Sequence, residues 1–534
     1  MFRPRMLALA LGAALAASAP AAEPVDEAMV ARIRTEAFEH SQVQGLVRHL
    51  TETIGPRLTS SPAMARANAW SRQTFERWGL ANVRDEAWGS HGIGWEYSTA
   101  HLELVEPRRT GLHVVPVAWS PGTAGTLQGD ALRVRIRTAA DRERYRGKLR
   151  GKILLMEDAR VPPALAALPL TGRDSAAGEL PLESIPGDLY ALAKRGAESP
   201  LQRQQAAARY LSSVAQREST EAFLHTEGAL GLLYPSRRGN GIIVAEAGTP
   251  PKPGEVRLPA LMVPVEHYNP LVRAVQGGQR VVLEMDVAAR YAGTHSQLSY
   301  NTLAEIPGHD RADEIVMLGA HMDSWHSGTG ASDNGAGVAV VMEVMRILKS
   351  LGVKPKRTIR AALWSGEEQG LLGSIAYVDQ HFAAGPEAAD QATTSTPLPP
   401  SLAADARAAR EVDEVLSVYF NMDHGSGRFK GIYAQKNMAA IPIFEAWLKP
   451  FADLGATEVN PAATGSTDHI AFDRAGLPGF QFVQDFKDYW SHVHHSHLDT
   501  YDHVEEADLQ QAAAIMASFV YHAAMRDAPF PRKP

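Results

Sequence analysis

Residues 315–337 read IVMLGAHMDSWHSGTGASDNGAG, and their order decides the fold class. Ile315-Val316-Met317-Leu318 is a continuous apolar run, short enough for a strand covered on both faces. The run ends on His321 and Asp323, two metal-capable side chains with one residue between them. A loop rich in Gly and Ser follows, and Ser332-Asp333-Asn334 then stands directly before a helical pattern. Gly335 and Gly337 permit close backbone approach at the start of that helix. A strand end that delivers His and a helix start that delivers Asp are how an open α/β sheet builds a site at the carboxyl edge of its strands.

The pattern repeats downstream. After Asn301 strand-like and helix-like segments alternate, which predicts a mostly parallel central sheet covered by helices. Expected strands are 315–320, 358–364, 416–422 and 479–483, and expected helices are 335–350, 371–381, 441–454 and 505–524. Upstream, 25–78 reads as largely helical with a break at Gly55-Pro56, and Ser60-Ser61-Pro62 marks a second helix start. From about 116 to 290 short strands, 151–156, 229–234 and 281–285, accompany an Ala/Gln-rich helical stretch at 191–217, the texture of an inserted β-rich module or, alternatively, of an elaborated part of one sheet. Residues 383–410, rich in Ala, Pro and Thr, read as a surface insertion. The expected division is 1–21 as a signal peptide, 22–115 as the first part of the main domain, 116–290 as the insert, and 291–534 as the catalytic part.

Bulk properties narrow the function. The 534 residues suffice for a large core. Lys and Arg number 53 against 60 Asp and Glu, a net charge of -7, which argues against a nucleic-acid partner. Cysteine is absent, so disulfides and thiolate ligands are excluded and any metal must sit on His and carboxylate groups. Arg3 and Arg5, an apolar run at 6–17 and Ala19-Pro20-Ala21 predict a cleaved secretory signal. No later stretch has the ~20 continuous apolar residues of a membrane helix, so the expected location is periplasmic or extracellular, with no membrane attachment once the signal is removed.

Acidic and imidazole groups follow successive expected strands: His321 and Asp323, then Glu367 and Glu368, then Asp423, with Asp333 on the intervening helix start. Singly, each has a plain structural explanation: a hydrogen-bonded core histidine, a helix cap, a solvated turn, a surface strand end. Parallel neighbouring strands would bring them all to one sheet edge, where crowded acids repel unless cations neutralise them. A histidine cluster, His492, His494, His495, His497 and His503, adds imidazoles, and Asp499 stands four places after His495, where an acid can orient a ligand imidazole.

The ordered set His321-x-Asp323, Ser332-Asp333-Asn334-Gly335-Ala336-Gly337, Glu367-Glu368, Asp423 and His495-x-x-x-Asp499-Thr500 resembles the M28 family of co-catalytic zinc exopeptidases. Trp325, Lys356-Arg357-Thr358 and His494-His495-Ser496-His497 place the likeness nearest its carboxypeptidase Q branch. The resemblance covers the chain from about Asn301 onward and, more weakly, the N-terminal helices. It implies two zinc ions bridged by Asp333, one held also by His321 and Asp423, the other by Glu368 and His495. Glu367 would be the general base, Asp323 would stand behind His321, and Asp499 behind His495. His497 competes with His495, but its spacing to Asp499 departs from the family pattern. Asp468 and His469, in Ser466-Thr467-Asp468-His469, would lie near the substrate pocket. The middle module would be a protease-associated domain. The implied protein is a secreted exopeptidase acting on short peptides or dipeptides, and a homodimer is admitted as its assembly. The rivals are a glutaminyl cyclase-like enzyme with one zinc and a non-catalytic receptor on the same fold.

Overall fold

Strands β11 (Arg311–His321), β12 (Arg357–Trp364), β13 (Val415–Asn421) and β16 (Gly479–Gln484) form the parallel centre of an eight-stranded sheet. Its order is β1-β10-β12-β11-β13-β16-β14-β15, completed by β1 (Ala81–Ser90), β10 (Leu298–Ile306), β14 (Phe429–Tyr433) and β15 (Glu458–Asn460), numbered in chain order. The flanks differ from the expected parallel pattern, because β10 runs antiparallel to both β1 and β12, and β14 runs antiparallel to β16. These flanking strands are short or carry charged residues, so their hydrophobic signal is weak. The computed structural model describes residues 23–161, 216–245, 248–252, 254–382 and 415–533. The expected signal peptide, most of 191–217 and the insertion at 383–410 lie outside the described residues.

The apolar run of β11 is buried on both faces. Val316, Leu318 and Ala320 enter a core shared with the helices Ala336–Ser350 and Glu506–Met525. Ile315 and Met317 point the other way, toward Trp364, Tyr377, Tyr419 and Phe472. This period of two within an all-apolar run is the mark of a strand sandwiched between layers. The helix Pro62–Arg77 starts where expected, with the Ser61 hydroxyl accepting from the Met64 N–H and Pro62 in the first turn. The expected helix at 441–454 is α-helical only over Ile441–Leu448 and tightens to a 3-10 helix over Lys449–Leu454. Pro450, which has no N–H to donate, sits at that change.

A second sheet has the order β3-β2-β9-β5-β6-β7-β8-β4. Its strands are β2 (Gly94–Glu106), β3 (Thr110–Leu112), β4 (Val115–Pro116), β5 (Leu127–Arg133), β6 (Lys152–Leu155), β7 (Gly231–Pro235), β8 (Ala260–Val263) and β9 (Val282–Ala292). Its first strand begins at Gly94, upstream of the expected boundary at 116, because β2 pairs along nearly the whole of β9. The two sheets are stitched at the histidine cluster: Val244 bridges Ser496, and the His497 N–H donates to the Ile243 carbonyl at 3.0 Å. His326 adds a contact to the Pro116 carbonyl at 2.7 Å. Among the described residues, no helix is long and apolar enough to cross a membrane.

Candidate metal centre

Register places the site. β11, β12 and β13 run side by side in the same direction, with His321 opposite Trp364 and Gly319 opposite Asn421. Their carboxyl ends therefore release His321, the Ser365–Glu368 turn and Asp423 at one edge of the sheet. The helix Ala336–Ser350 starts at that edge and presents Asp333 from the turn before it. The turn is held by Asn334, whose side-chain amide donates to the Met422 carbonyl at 2.8 Å and whose oxygen accepts from the Gly337 N–H at 3.0 Å. A Cβ on Gly337 would stand 2.3 Å from Asn334 Oδ1, and one on Gly335 would stand 2.7 Å from the Gly330 carbonyl oxygen. Both positions require glycine for close approach.

Asp333 lies at the middle. Its Oδ1 is 3.2 Å from His321 Nε2, and its Oδ2 is 3.3 Å from His495 Nε2. On the first side, His321 Nε2 is also 3.0 Å from Asp423 Oδ1. On the second, His495 Nε2 is 3.1 Å from Glu368 Oε2. Glu367 Oε2 stands 4.0 Å from His321 Nε2, farther than the other acids of the group. His321, Asp333 and Asp423 form one group whose ligand atoms lie within 4.8 Å of one another, and Asp333, His494 and His495 form another.

The surroundings hold these groups rather than neutralise them. The Asp323 carboxylate accepts from Thr59 Oγ1 at 2.7 Å and from the N–H groups of Glu367 and Glu368 at 3.4 and 3.3 Å. It thus anchors the acid turn, while the nearest acceptor for His321 Nδ1 is the Asp323 backbone carbonyl at 2.9 Å. Asp499 accepts from the N–H groups of Ser332 and Asp333 at 2.6 and 3.1 Å, so it fixes the turn that carries Asp333. Arg57 is fully buried beneath and donates to the carbonyls of Met322, Thr329 and Gly330, each at 2.8 Å. Burial pulls its pKa down to about 10, against the pull of Asp499, Asp323, Asp333 and Glu368.

Electrostatics show what this crowding costs. Burial pushes Glu368 up to about 7 despite His495, and Asp499 up to about 8 with the Asp333 charge adding to it. Glu367 is held well above the carboxylate range by burial, with His321 opposing and Asp423 and Asp468 reinforcing. Burial works against the His321 imidazolium, but Asp423 and Glu367 outweigh it and hold its pKa well above ordinary. Asp333 goes the other way: burial raises it, and the His321 and His495 contacts pull it well below. Asp333 Oδ2 is buried and, among the described residues, accepts no hydrogen bond. Oxygen and imidazole donors packed this tightly, with one carboxylate facing two imidazoles, fit divalent cations and suit zinc.

The remaining expected residues divide. Asp468 is fully buried and close enough for its charge to act on Glu367 and for the Asp423 charge to act on it, and burial pushes it up to about 8. His469 turns away, with Nε2 at 2.6 Å from the Gln435 amide nitrogen and at 3.2 Å from the Thr464 carbonyl. His497 accepts from the Ile243 N–H at 3.0 Å and so faces the second sheet. Arg57, Thr59 and Arg238 escaped the sequence reading. Arg238 comes from the loop after β7 and donates to the His492 carbonyl at 3.2 Å. Arg57 and Thr59 follow the Gly55-Pro56 break, the one local hint that this segment does something other than continue a helix. His494 was visible in the histidine cluster, but spacing alone did not separate it from its neighbours.

Comparison with known proteins agrees with this geometry. Residues 301–520 match the family model described as Peptidase family M28. The chain is 27% identical over 488 residues to carboxypeptidase Q of Mus musculus, covering 90% of this chain and 86% of that protein. It is 24% identical over 258 residues to aminopeptidase YwaD of Bacillus subtilis, covering 47% of this chain and 50% of that protein. Among solved structures, a peptidase M28 precursor from Shewanella amazonensis superimposes with a TM-score of 0.61 at 24% identity, over 95% of this chain and 99% of that one. The zinc aminopeptidase BSAP from Bacillus subtilis gives a TM-score of 0.51 at 18% identity, over 91% and 95%. These two likenesses bear on the fold alone. Taken with the carboxyl-edge cluster, the match over 301–520 likens that part of the chain to peptidase family M28, and the protein is a metallo-exopeptidase.

Proposed function

We propose that the protein is a secreted exopeptidase with two zinc ions, removing terminal residues from short peptides or splitting dipeptides. The observation that carries this reading is the division of Asp333, one oxygen toward His321 and Asp423 and the other toward His495 and Glu368. Each side then has three protein donors with Asp333 shared, which leaves coordination open for substrate chemistry. Zinc supplies a water of lowered pKa and polarises the scissile carbonyl.

The chain's own residues do the rest. Glu367, beside His321 and outside the tight contacts, takes a proton from the attacking water and returns it to the leaving amine. Its raised proton affinity suits that exchange. Asp323 and Thr59 hold the Glu367 turn, Asp499 holds the Asp333 turn, and Arg57 ties the loop before Asp333 to the Met322 carbonyl at the strand end. The second sheet, read as a protease-associated module, leans on the histidine loop.

The test is zinc content by elemental analysis, followed by hydrolysis of free dipeptides, N-blocked dipeptides and longer peptides. Two zinc ions per chain and chelator-sensitive release of terminal residues are expected. One zinc with cyclisation of an N-terminal glutamine peptide would instead favour the cyclase, and full metal loading without turnover would favour the receptor. A need for a free amino terminus marks an aminopeptidase or dipeptidase, and cleavage of N-blocked peptides marks a carboxypeptidase.

A further inference from the structure

We infer that Arg238 is a specificity-determining residue whose guanidinium pairs with the terminal carboxylate of the substrate, so that the residue released is the last one of a peptide with a free carboxyl end. The inference rests on the exopeptidase reading above and names the substrate class of its site.

Arg238 comes toward the centre from the other sheet. It follows β7 in a loop that Ser236 closes, its hydroxyl donating to the Ile242 carbonyl at 2.7 Å and accepting from the Val244 N–H at 3.1 Å. Val244 then bridges Ser496, the residue after His495. Arg238 Nη1 donates to the His492 carbonyl at 3.2 Å, and the Ser496 hydroxyl donates to the same oxygen at 2.6 Å. The guanidinium is therefore docked on the loop that carries His495 into the centre. It lies within electrostatic range of Tyr489, and Tyr489 lies within that of Asp333, Asp423 and Glu368.

Among the described residues Arg238 makes no other hydrogen bond, and no acid pairs with it. Its sequence neighbour adds to the positive charge: burial pulls Arg237 down to about 8, with Arg238 and Arg160 acting in the same direction. Arg160 has Glu157 as its partner. Burial pulls Arg238 down to about 10, so it is still charged at neutral pH. A partly buried cation beside like charges is costly until an anion joins it. A guanidinium presents a planar fork of N–H donors that matches the two oxygens of a carboxylate.

The anion comes with the substrate. In a dipeptide the terminal carboxyl carbon is three bonds beyond the scissile carbonyl carbon, about 4 Å or less by standard backbone dimensions. A carbonyl held at the centre thus keeps that carboxylate at the rim, within reach of a long side chain docked on the histidine loop. The free amine at the other end of the substrate finds no place beside Arg238, where it would add one more like charge. An acidic side chain on the released residue offers the same chemistry from different atoms, and the test separates the two sources.

The experiment compares zinc-loaded wild type with Arg238→Met and Arg238→Lys on alanyl-leucine, alanyl-leucine amide and the α-amide of alanyl-glutamate, following release of free alanine. Loss of one partner from a desolvated charge pair weakens binding by about 30-fold or more. Wild type should therefore prefer alanyl-leucine to its amide by at least that factor in kcat/KM. Arg238→Met should raise KM for alanyl-leucine by the same factor, with kcat and zinc content near wild type and the amide hydrolysed as before. A residue that merely braced the histidine loop would lower activity on both substrates alike. Arg238→Lys, which keeps the charge without the fork, should recover part of the loss. Wild type that hydrolyses acid and amide equally well, or an Arg238→Met variant that slows both by the same factor, would overturn the inference. Full activity of wild type on the glutamate α-amide, lost in Arg238→Met, would assign Arg238 to the side-chain carboxylate and overturn the terminal one. Wild type that binds zinc but releases alanine from none of the three would instead remove the underlying exopeptidase reading.

Discussion

Asp333 is the residue on which both sides of the centre converge, so its removal should be felt by both. With two zinc ions held as proposed, Asp333→Ala should lower the affinity of each by at least about 100-fold, above the range seen for residues that only support a ligand. Titration against a chromogenic chelator measures this, and two tight zinc ions retained in the variant would deny the bridge. Glu367 makes a different case. It is 4.0 Å from His321 and outside the closer ligand contacts, so Glu367→Gln should keep both metals while kcat falls by several orders of magnitude. Near-normal turnover in that variant would move the proton transfer to another group.

At the scale of elements, the site depends on turns that carry no chemistry themselves. The Asp333 turn closes because Gly337 lets Asn334 fold back onto the helix start. Gly337→Ala should force that side chain aside, at a cost of about 1–3 kcal/mol for the clash. Urea unfolding gives the stability loss, and weaker zinc binding should accompany it. Arg57 performs the matching task beneath the sheet edge. Arg57→Met should strand the Met322, Thr329 and Gly330 carbonyls and leave the buried acids without their fixed cation. A loss of about 3–5 kcal/mol is expected from exposing such an imbalance, read from the same unfolding curves.

Across the whole molecule, the seam between the two sheets carries neutral buried histidines. Burial pulls His326 and His91 there down to about 4, and His469, which faces Gln435 and Thr464 away from that seam, down to about 3. Unfolded, each would take a proton near pH 6.5, whereas the folded protein takes it only at these lower values. The unfolded chain therefore binds more protons between pH 6.5 and about 4, and the stability these groups contribute is lost as pH falls through that window. Melting temperature of the zinc-loaded protein should drop on acidification from pH 7 to pH 5. His326→Gln, which keeps a donor for the Pro116 carbonyl and cannot titrate, should flatten the slope. An unchanged slope would mean that His326 does not set it.

Much of this protein could be read from residue order alone. The run at 315–318 specified a covered strand because four consecutive apolar residues leave no face for water, and the recurring strand–helix alternation specified a parallel centre. The clustering of acids and imidazoles after successive strands followed from the same alternation, since parallel strands end on one edge. Other features had no local signal. The antiparallel flanks, the early start of the second sheet at Gly94, the buried place of Arg57 and the choice among five clustered histidines all depend on partners distant in the sequence. Local periodicity records which side of an element avoids water, but not which distant segment covers it. Only the folded chain, by pairing Val244 with Ser496 and stacking His494 on His495, decided which imidazoles face the centre and which face the second sheet.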